Sequence, residues 1–180
     1  VVAQQIRSSD ISDNPSIGFA AKGILYRETI HAGGLNSHTI ANNTNMFVSQ
    51  FPGLGPVYYA AIDIDNAMSS DAGTASIKNN HFFSGGNFSD GIRLNGSGGW
   101  DIDGNTIDFQ NPVSPFFSNQ GDGIRLSNTN ENYMYQNHIN DLDLILRQSI
   151  GMSLSVGTGN RYCCNSTFGN KIGSYFFGAC

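Results

Sequence analysis

Short segments in which apolar and polar residues alternate recur along the chain. They share the pattern apolar-x-apolar, and the copies are Ile62-Asp63-Ile64, Ile92-Arg93-Leu94, Ile124-Arg125-Leu126 and Met152-Ser153-Leu154, with a weaker copy at Gly23-Ile24-Leu25-Tyr26. A period of two is typical of β-strands, whose successive side chains point to opposite faces. The pattern predicts strands of about three to five residues, with the Ile, Leu and Met side chains inward and the intervening residues outward.

A second pattern, apolar-x-x-Asn, alternates with the first. Its copies are Ile11…Asn14, Ile40…Asn43, Ile77…Asn80, Ile102…Asn105, Met134…Asn137 and, in degenerate form, Tyr162…Asn165. The two patterns are ten residues apart in three successive copies, which begin at Ile92, Ile124 and Met152. Each copy is too small to bury its own apolar side, so copies must stack to form a shared core. This predicts a solenoid with two or three strands per turn.

The recurring Asn predicts a ladder of side-chain hydrogen bonds. An inward amide has a donor group and an acceptor group. Identical amides stacked at the rung spacing of about 4.8 Å can therefore bond to one another. We expect Asn80, Asn105 and Asn137 to be buried and bonded in this way. The alternative is that Asn is present only because it favours turns.

The repeated Ile-x-Gly-Asn-x-Ile and Asp-Gly-Ile-Arg-Leu units resemble those of the pectate-lyase-like β-helix superfamily. This superfamily includes pectinolytic enzymes, alginate-modifying enzymes and bacteriophage tailspikes, and the resemblance covers roughly residues 10 to 170. It implies an all-β chain folded as a right-handed, single-stranded parallel β-helix. Residues 1–180 are predicted to form one such domain. The segment Tyr175–Cys180 is apolar rather than capping, which predicts a longer parent chain or a partner subunit covering this end.

Composition narrows the choice of partners. Only 13% of the 180 residues are charged, which argues against a disordered tail and a solvated helical bundle. The 22 glycines predict many tight turns. The net charge is −5 without a run of Lys or Arg, which argues against nucleic acid as a partner. No apolar stretch is long enough to span a membrane.

The three cysteines, Cys163, Cys164 and Cys180, form no metal-binding pattern. Adjacent cysteines such as Cys163 and Cys164 make a poor disulfide, whereas one of the two could bond to Cys180. An odd number of cysteines without other bridges favours reduced thiols instead. No metal or cofactor is predicted.

Four variable segments are predicted to leave the regular coil: Phe47–Tyr59, Phe82–Ser89, Phe109–Gly121 and Asn140–Ser149. Such insertions often form the binding face of a solenoid. The aromatic residues Phe83, Phe88, Phe116 and Phe117 could stack on sugar faces and are candidate substrate contacts. The alternative for these aromatic side chains is packing or subunit contact.

Paired carboxylates are the candidate catalytic groups. Asp90 and Asp122 begin two equivalent strands, so their carboxylates are expected about 5 Å apart, a spacing that suits a retaining glycosidase. The alternative is that each aspartate only caps a turn before glycine. Asp101 and Asp103 flank Ile102 and form a further acidic spot.

The outward column between the apolar strand positions contains Asp63, Arg93, Arg125 and Ser153. Two stacked arginines could bind the carboxylate of an acidic sugar through paired hydrogen bonds. The alternative is a surface ion pair between Arg93 and Asp63. His81 and His138 are predicted to be surface histidines, separated by an intervening rung and too far apart to share a metal.

The chain lacks the Arg-x-Pro-x-x-Arg run of pectate lyases, the Gly-His-Gly and Asp-Asp elements of polygalacturonases and the Asp-Pro-His segment of alginate epimerases. The favoured function is therefore recognition of a cell-surface polysaccharide by a tailspike-like β-helix, with or without depolymerase activity. This hypothesis implies a homotrimer on a virion tail or at the cell surface. The alternatives are a stand-alone polysaccharide lyase or glycoside hydrolase, and a structural stalk or adhesin segment without activity.

Overall fold

A computed structural model describes residues 2–4, 9–19, 22–27, 38–48, 59–67, 75–84, 89–109, 121–142 and 149–177. Within these residues the chain forms nineteen β-strands and no helix. The strands are arranged in three parallel sheets, here named sheets A, B and C.

Sheet A contains β1 (Val2–Gln4), β4 (Lys22–Arg27), β7 (Tyr59–Asp65), β10 (Ser89–Asn95), β13 (Asp122–Asn130), β16 (Ile150–Thr158) and β19 (Ile172–Phe177). Sheet B contains β2 (Ser9–Ser12), β5 (His38–Ala41), β8 (Ala75–Lys78), β11 (Trp100–Asp103), β14 (Tyr133–Tyr135) and β17 (Arg161–Cys163). Sheet C contains β3 (Ile17–Phe19), β6 (Met46–Val48), β9 (His81–Ser84), β12 (Thr106–Phe109), β15 (His138–Asp141) and β18 (Ser166–Phe168).

The chain passes through sheets A, B and C in turn, so each turn of the solenoid contributes one strand to each sheet. Every strand pairs in parallel with the equivalent strand of the next turn, as Ile92 pairs with Ile124 and Ile124 pairs with Met152. This arrangement confirms the predicted parallel β-helix and fixes the number of strands per turn at three. Two sheet A strands, β13 and β16, have nine residues each and are longer than predicted.

The apolar positions of the repeat form one continuous core. All eight side chains that the four full copies of the pattern predict to point inward are buried, namely Ile62, Ile64, Ile92, Leu94, Ile124, Leu126, Met152 and Leu154. All four predicted excursions begin later than expected, because their first residues are strand residues, namely Phe47, Phe82, Phe109 and Asn140. The side chains of Phe82 and Phe109 are buried in this core. Trp100 is also buried, and its indole N–H donates a 3.1 Å hydrogen bond to the carbonyl oxygen of Ala67.

The asparagine ladder lies at the bend between sheets B and C. The Nδ2 group of Asn80 donates to Oδ1 of Asn105 at 3.0 Å, and Nδ2 of Asn105 donates to Oδ1 of Asn137 at 2.9 Å. All three side chains are buried, which confirms the ladder. A second, shorter ladder that the repeat did not predict joins Asn132 to Asn160 at 2.9 Å.

Left-handed residues stack in columns at two of the bends. At the end of the sheet A strands and in the connection to sheet B there are two such columns, one of Asn66, Gly96, Asn128 and Val156 and one of Gly99, Glu131 and Gly159. In the bend that follows sheet B the left-handed residues are Asp13, Asn42, Asn79, Gly104, Gln136 and Cys164. Gly and Asn adopt this backbone at low cost, whereas a β-branched residue such as Val does not. β13 and β16 continue through Asn128 and Val156, which explains their greater length.

Candidate functional site

Asp90 and Asp122 lie at the corner where the chain enters sheet A, and each precedes a glycine. A Cβ atom on Gly91 would lie 2.6 Å from the carbonyl oxygen of Gly123, and a Cβ on Gly123 would lie 2.5 Å from that of Gly151. Real Cβ atoms essentially never approach so closely, so these positions admit only glycine without rearrangement. Neither Gly91 nor Gly123 has the positive φ of an Asp-Gly turn. Close packing of successive turns therefore explains the repeated glycine.

The two carboxylates are linked through the backbone. The N–H of Asp122 donates a 3.0 Å hydrogen bond to Oδ1 of Asp90, whose side chain is buried. Oδ2 of Asp90 accepts no hydrogen bond from the described residues, and Nη1 of Arg125 lies 3.8 Å from it. Oδ2 of Asp122 accepts a hydrogen bond from the Ser153 hydroxyl and lies 3.9 Å from Nε of Arg125. Asp90, Asp122, Arg125 and Ser153 thus form one polar cluster.

Burial changes the acidity of both carboxyls. Burial, followed by repulsion from Asp122, raises the pKa of Asp90 to about 7, against the opposing effects of the Asp122 N–H, Arg125 and Arg93. Burial also raises the pKa of Asp122, although the Ser153 hydrogen bond and Arg125 oppose this rise. Asp90 therefore keeps its proton to a much higher pH than a surface aspartate does.

A cavity of about 250 Å³ adjoins this cluster. Its polar lining comes from adjacent strands of sheet A, namely Asp122, Arg125 and Ser127 of β13 and Ser153 and Ser155 of β16. The Arg125 side chain is 41% exposed, so its guanidinium is accessible to a ligand. We name this cavity, with the Asp90 carboxyl behind it, the carboxylate pocket.

The two stacked arginines are not equivalent. The register places Asp63, Arg93 and Arg125 in one column, as predicted. Nε and Nη2 of Arg93 each donate a 2.8 Å hydrogen bond to the Asp63 carboxylate, which is fully buried. The predicted ion pair between Asp63 and Arg93 is confirmed, but it is not a surface pair, since the Asp63 carboxylate is buried and the contact is bidentate. Arg93 is occupied by this pair, whereas Arg125 adjoins the carboxylate pocket.

The other two predicted catalytic carboxylates lie on a different face. Asp101 and Asp103 belong to β11 of sheet B, and Oδ2 of Asp101 lies 3.8 Å from Nζ of Lys78. The structure therefore brings Asp90 and Asp122 together but does not bring Asp101 and Asp103 to the same site. Their catalytic role stays a prediction.

Only one of the predicted aromatic contacts falls within the described residues. Phe83 lies on β9 of sheet C, half-buried, with its ring centroid 4.0 Å from that of His81. It pairs in register with Phe47 on one side and Asp108 on the other. The other predicted contacts, Phe88, Phe116 and Phe117, lie outside the described residues.

The histidines have local partners. Nε2 of His81 lies 2.7 Å from Oδ2 of Asp108, and Nδ1 of His138 lies 2.6 Å from Oγ of Ser166. Thr106 pairs with both histidines, so one rung separates them as predicted. The described part of the chain contains no cluster of three or more His, Cys, Asp or Glu side chains that could hold a metal ion. It also contains no helix of sufficient length and apolarity to cross a membrane.

Sequence reasoning assigned no role to Ser153 or to the adjacent cysteines. Ser153 was placed in the outward column by the repeat, but nothing in the repeat indicated its hydrogen bond to Asp122. Cys163 and Cys164 are free and exposed, in agreement with reduced thiols, and Cys180 lies outside the described residues.

Comparison of the chain with protein-family models, with curated proteins and with solved structures finds no match in any of the three. The strand pairing by itself shows a parallel β-helix. Membership of the pectate-lyase-like superfamily stays a prediction that rests on the repeat units.

Proposed function

We propose that this β-helix recognises a polysaccharide on the outer face of sheet A, with the carboxylate pocket at the centre of the site. The observation that carries the proposal is the convergence of Asp122, Arg125 and Ser153 at a cavity of about 250 Å³. A cavity with a few convergent polar groups and a carboxyl of perturbed pKa is a typical ligand site. The buried Asp90 carboxyl, with one oxygen that accepts no hydrogen bond from the described residues, supplies the perturbed group.

The spacing of the strands suits a linear glycan. β10, β13 and β16 are neighbours in sheet A, and adjacent strands lie about 4.8 Å apart. A sugar unit has a similar length, so one column of side chains can meet successive residues of a single chain. Arg125 and Ser153 occupy equivalent positions on adjacent strands and would contact neighbouring sugars.

Charge defines the class of glycan. Arg125 and Ser153 can donate hydrogen bonds to hydroxyl or carboxylate oxygens, and Asp122 can accept them from hydroxyl groups. The net charge of −5 opposes long-range attraction of a polyanion. A neutral or weakly acidic polysaccharide therefore fits better than a densely charged one.

Depolymerisation is a second candidate function, favoured by the pKa of Asp90. A carboxyl that retains its proton near pH 7 can act as a general acid, while an ionised neighbour acts as a base. Asp90 is only 2% exposed, however, and Asp122 is the carboxylate that lines the cavity. Direct proton transfer from Asp90 to a sugar would require a conformational change that exposes its carboxyl group. Binding therefore has more support than cleavage.

The finer proposal is a tailspike-like protein of the virion tail or cell surface that assembles as a homotrimer. Its support is the resemblance of the repeat units, together with exposed apolar side chains on the outer surface such as Phe47 and Phe168. A neighbouring subunit would bury such side chains. The alternative of a stalk or adhesin segment without activity shares these features, but it gives no role to the carboxylate pocket. Sedimentation of the chain tests for the trimer.

A panel of neutral and weakly acidic bacterial surface polysaccharides tests the function. The wild-type chain is assayed for binding by glycan array and for cleavage by release of reducing ends or unsaturated products. Two variants alter the carboxylate pocket, D90N/D122N and Arg125→Ala. The variant D101N/D103N removes the acidic spot on sheet B, and Ser76→Ala is a neutral change on that same sheet.

We expect both pocket variants to lose at least tenfold in affinity while the two sheet B variants bind like the wild type. Retained binding with lost cleavage in D90N/D122N would instead favour the enzyme. Unchanged binding in both pocket variants, without any loss of cleavage, would refute this site. A chain that binds none of the panel would leave the structural stalk as the better hypothesis.

A further inference from the structure

Two adjacent thiols lie at the bend between sheets B and C. Cys163 is the last residue of β17, and Cys164 is the bend residue that follows it. Both are free and exposed, and their Sγ atoms are 3.2 Å apart. The pair is therefore accessible to small molecules in solution.

The backbone holds this pair in an unusual conformation. Cys164 has a φ of 58° in a column whose other members are Asp13, Asn42, Asn79, Gly104 and Gln136. The left-handed conformation is unfavourable for most non-glycine residues. The N–H of Gln136 donates a 3.2 Å hydrogen bond to the carbonyl oxygen of Cys163, which fixes the residue before the bend. The solenoid thus holds the two sulfurs within contact distance without a bond between them.

We infer that Cys163 and Cys164 form a redox site, which a low-molecular-weight disulfide such as oxidised glutathione converts reversibly to a disulfide. In the first step the thiolate of one cysteine attacks one glutathione sulfur, which breaks the glutathione S–S bond and releases one glutathione thiol. The thiolate of the other cysteine then attacks the protein sulfur that carries the glutathione and releases the second glutathione thiol. Two protein thiols lose two electrons and two protons, and one glutathione disulfide becomes two thiols.

The two sulfurs are in hydrogen-bond contact, and this contact raises the pKa of Cys163. A thiol attacks as its thiolate, and because both side chains are exposed, either sulfur can form the first bond to glutathione while the other resolves it.

Geometry makes the product readily reducible. The sulfurs must approach from 3.2 Å to about 2.05 Å. The Cα atoms of adjacent residues are about 3.8 Å apart across a trans peptide, below the usual range of about 4.4–6.8 Å for disulfides. Strained and exposed disulfides have more oxidising potentials than structural ones. The pair is therefore suited to reversible oxidation and poorly suited to a permanent cross-link.

The site adjoins the asparagine ladder. Asn165 follows Cys164 directly, accepts a 2.8 Å hydrogen bond from Nδ2 of Asn137 and donates one of 3.0 Å to the carbonyl oxygen of Met134. Closing the eight-membered ring changes the backbone immediately before this residue. Oxidation is thus expected to alter the stability of this end of the ladder.

The test uses the C180S chain, which retains only the two adjacent thiols. It is incubated with oxidised glutathione, and its intact mass, free thiols and migration on a non-reducing gel are measured. We expect loss of both thiols, a mass lower by two hydrogens, no glutathione adduct and no dimer, with full reversal by excess reduced glutathione. The matched controls, C163S/C180S and C164S/C180S, should each retain one glutathione as a stable adduct.

Three results would overturn the inference: a stable glutathione adduct on the two-thiol chain, a disulfide-linked dimer, or two thiols that remain free when each single-thiol control is modified. Should the C180S chain fail to fold, peptide mapping of the oxidised wild-type chain decides the same question. A peptide containing a disulfide between the adjacent cysteines supports the site. A bond from either cysteine to Cys180 contradicts it.

Discussion

The backbone N–H of Asp122 donates a 3.0 Å hydrogen bond to Oδ1 of Asp90, one turn earlier in the solenoid. This bond joins β10 to β13 through a carboxyl group that is buried and close to a second carboxyl. Burial and the neighbouring charge together favour the protonated form of Asp90. The first prediction follows from this preference.

Stability is expected to fall as the pH rises toward and through 7. The pKa of Asp90 in the folded chain is about 7, above its ordinary value of 3.8. A carboxyl of this kind stabilises the folded state when protonated, and that contribution is lost as the pH passes the folded pKa. At about 1.4 kcal/mol per pKa unit, the free energy of unfolding should fall by about 2–3 kcal/mol between pH 5 and pH 8. Urea unfolding at several pH values measures this slope.

Asp90→Asn is the matched control, because its amide oxygen can still accept the hydrogen bond from Asp122. The variant should be more stable than the wild type at pH 8, and its free energy of unfolding should fall less steeply with pH. Some slope should remain, since burial also raises the pKa of Asp122. Equal slopes in the two proteins would show that Asp90 does not titrate near neutrality.

The second prediction concerns the ladder. Asn105→Ala removes the hydrogen bonds from Nδ2 to the carbonyl oxygen of Ile77 and to Asn137, and the two that Oδ1 accepts from Asn80. Because the groups left behind are buried, the variant should lose about 1–3 kcal/mol in the free energy of unfolding. Asn45→Ala, at an exposed position outside the ladder, should lose less than about 0.5 kcal/mol. Chemical denaturation compares the two, and a neutral Asn105→Ala would contradict the ladder.

A reciprocal exchange tests the left-handed column after sheet A. Val156 has a φ of 57° and is 53% exposed, so it combines an unfavourable backbone with little burial. Val156→Asn should therefore stabilise the chain by about 1 kcal/mol. Asn128→Val, at the equivalent position one turn earlier, should destabilise it by about 1–2 kcal/mol. The two substitutions should shift the thermal unfolding temperature in opposite directions. Shifts in the same direction would contradict the left-handed backbone as the cause.

The fourth prediction concerns the glycine corner. A Cβ at Gly123 would lie 2.5 Å from both the carbonyl oxygen of Gly151 and the side chain of Ile139. Gly123→Ala should therefore destabilise the chain by about 3 kcal/mol or more, the upper end of overpacking effects. One turn before Gly91, the equivalent position in sheet A is Ala61. Ala61→Gly should lower the free energy of unfolding by only about 1 kcal/mol. If the two variants lost a similar free energy of unfolding, close packing of the turns would not explain the glycines.

The parts of the fold that repeat could be predicted from the sequence. The positions of Ile92 and Asn105 follow from patterns that recur turn after turn, and each copy supports the next. The environments of Arg93 and Arg125 could not be distinguished, because both stand in the same sequence motif. They differ in the residue one turn earlier, which is Asp63 for Arg93 and Arg93 for Arg125.

Only some of the left-handed residues at the bends could be predicted from the sequence. Asn and Gly indicate such positions, so Gly104 and Asn128 are readily explained. Val156 and Cys164 carry no such signal, because their backbone is imposed by the stacking of the neighbouring turns. The relation of Ser153 to Asp122 also depends on side-chain packing between turns, which the repeat pattern does not encode.

The decisive measurement is the position of an oligosaccharide bound to the chain. The chain is crystallised with a fragment of whichever panel polysaccharide it binds, and the location of the sugar is determined. The proposal predicts sugar units on the outer face of sheet A, with hydrogen bonds to Arg125, Ser153 or Asp122. A sugar bound on sheet B or sheet C, with the carboxylate pocket unoccupied, would contradict it.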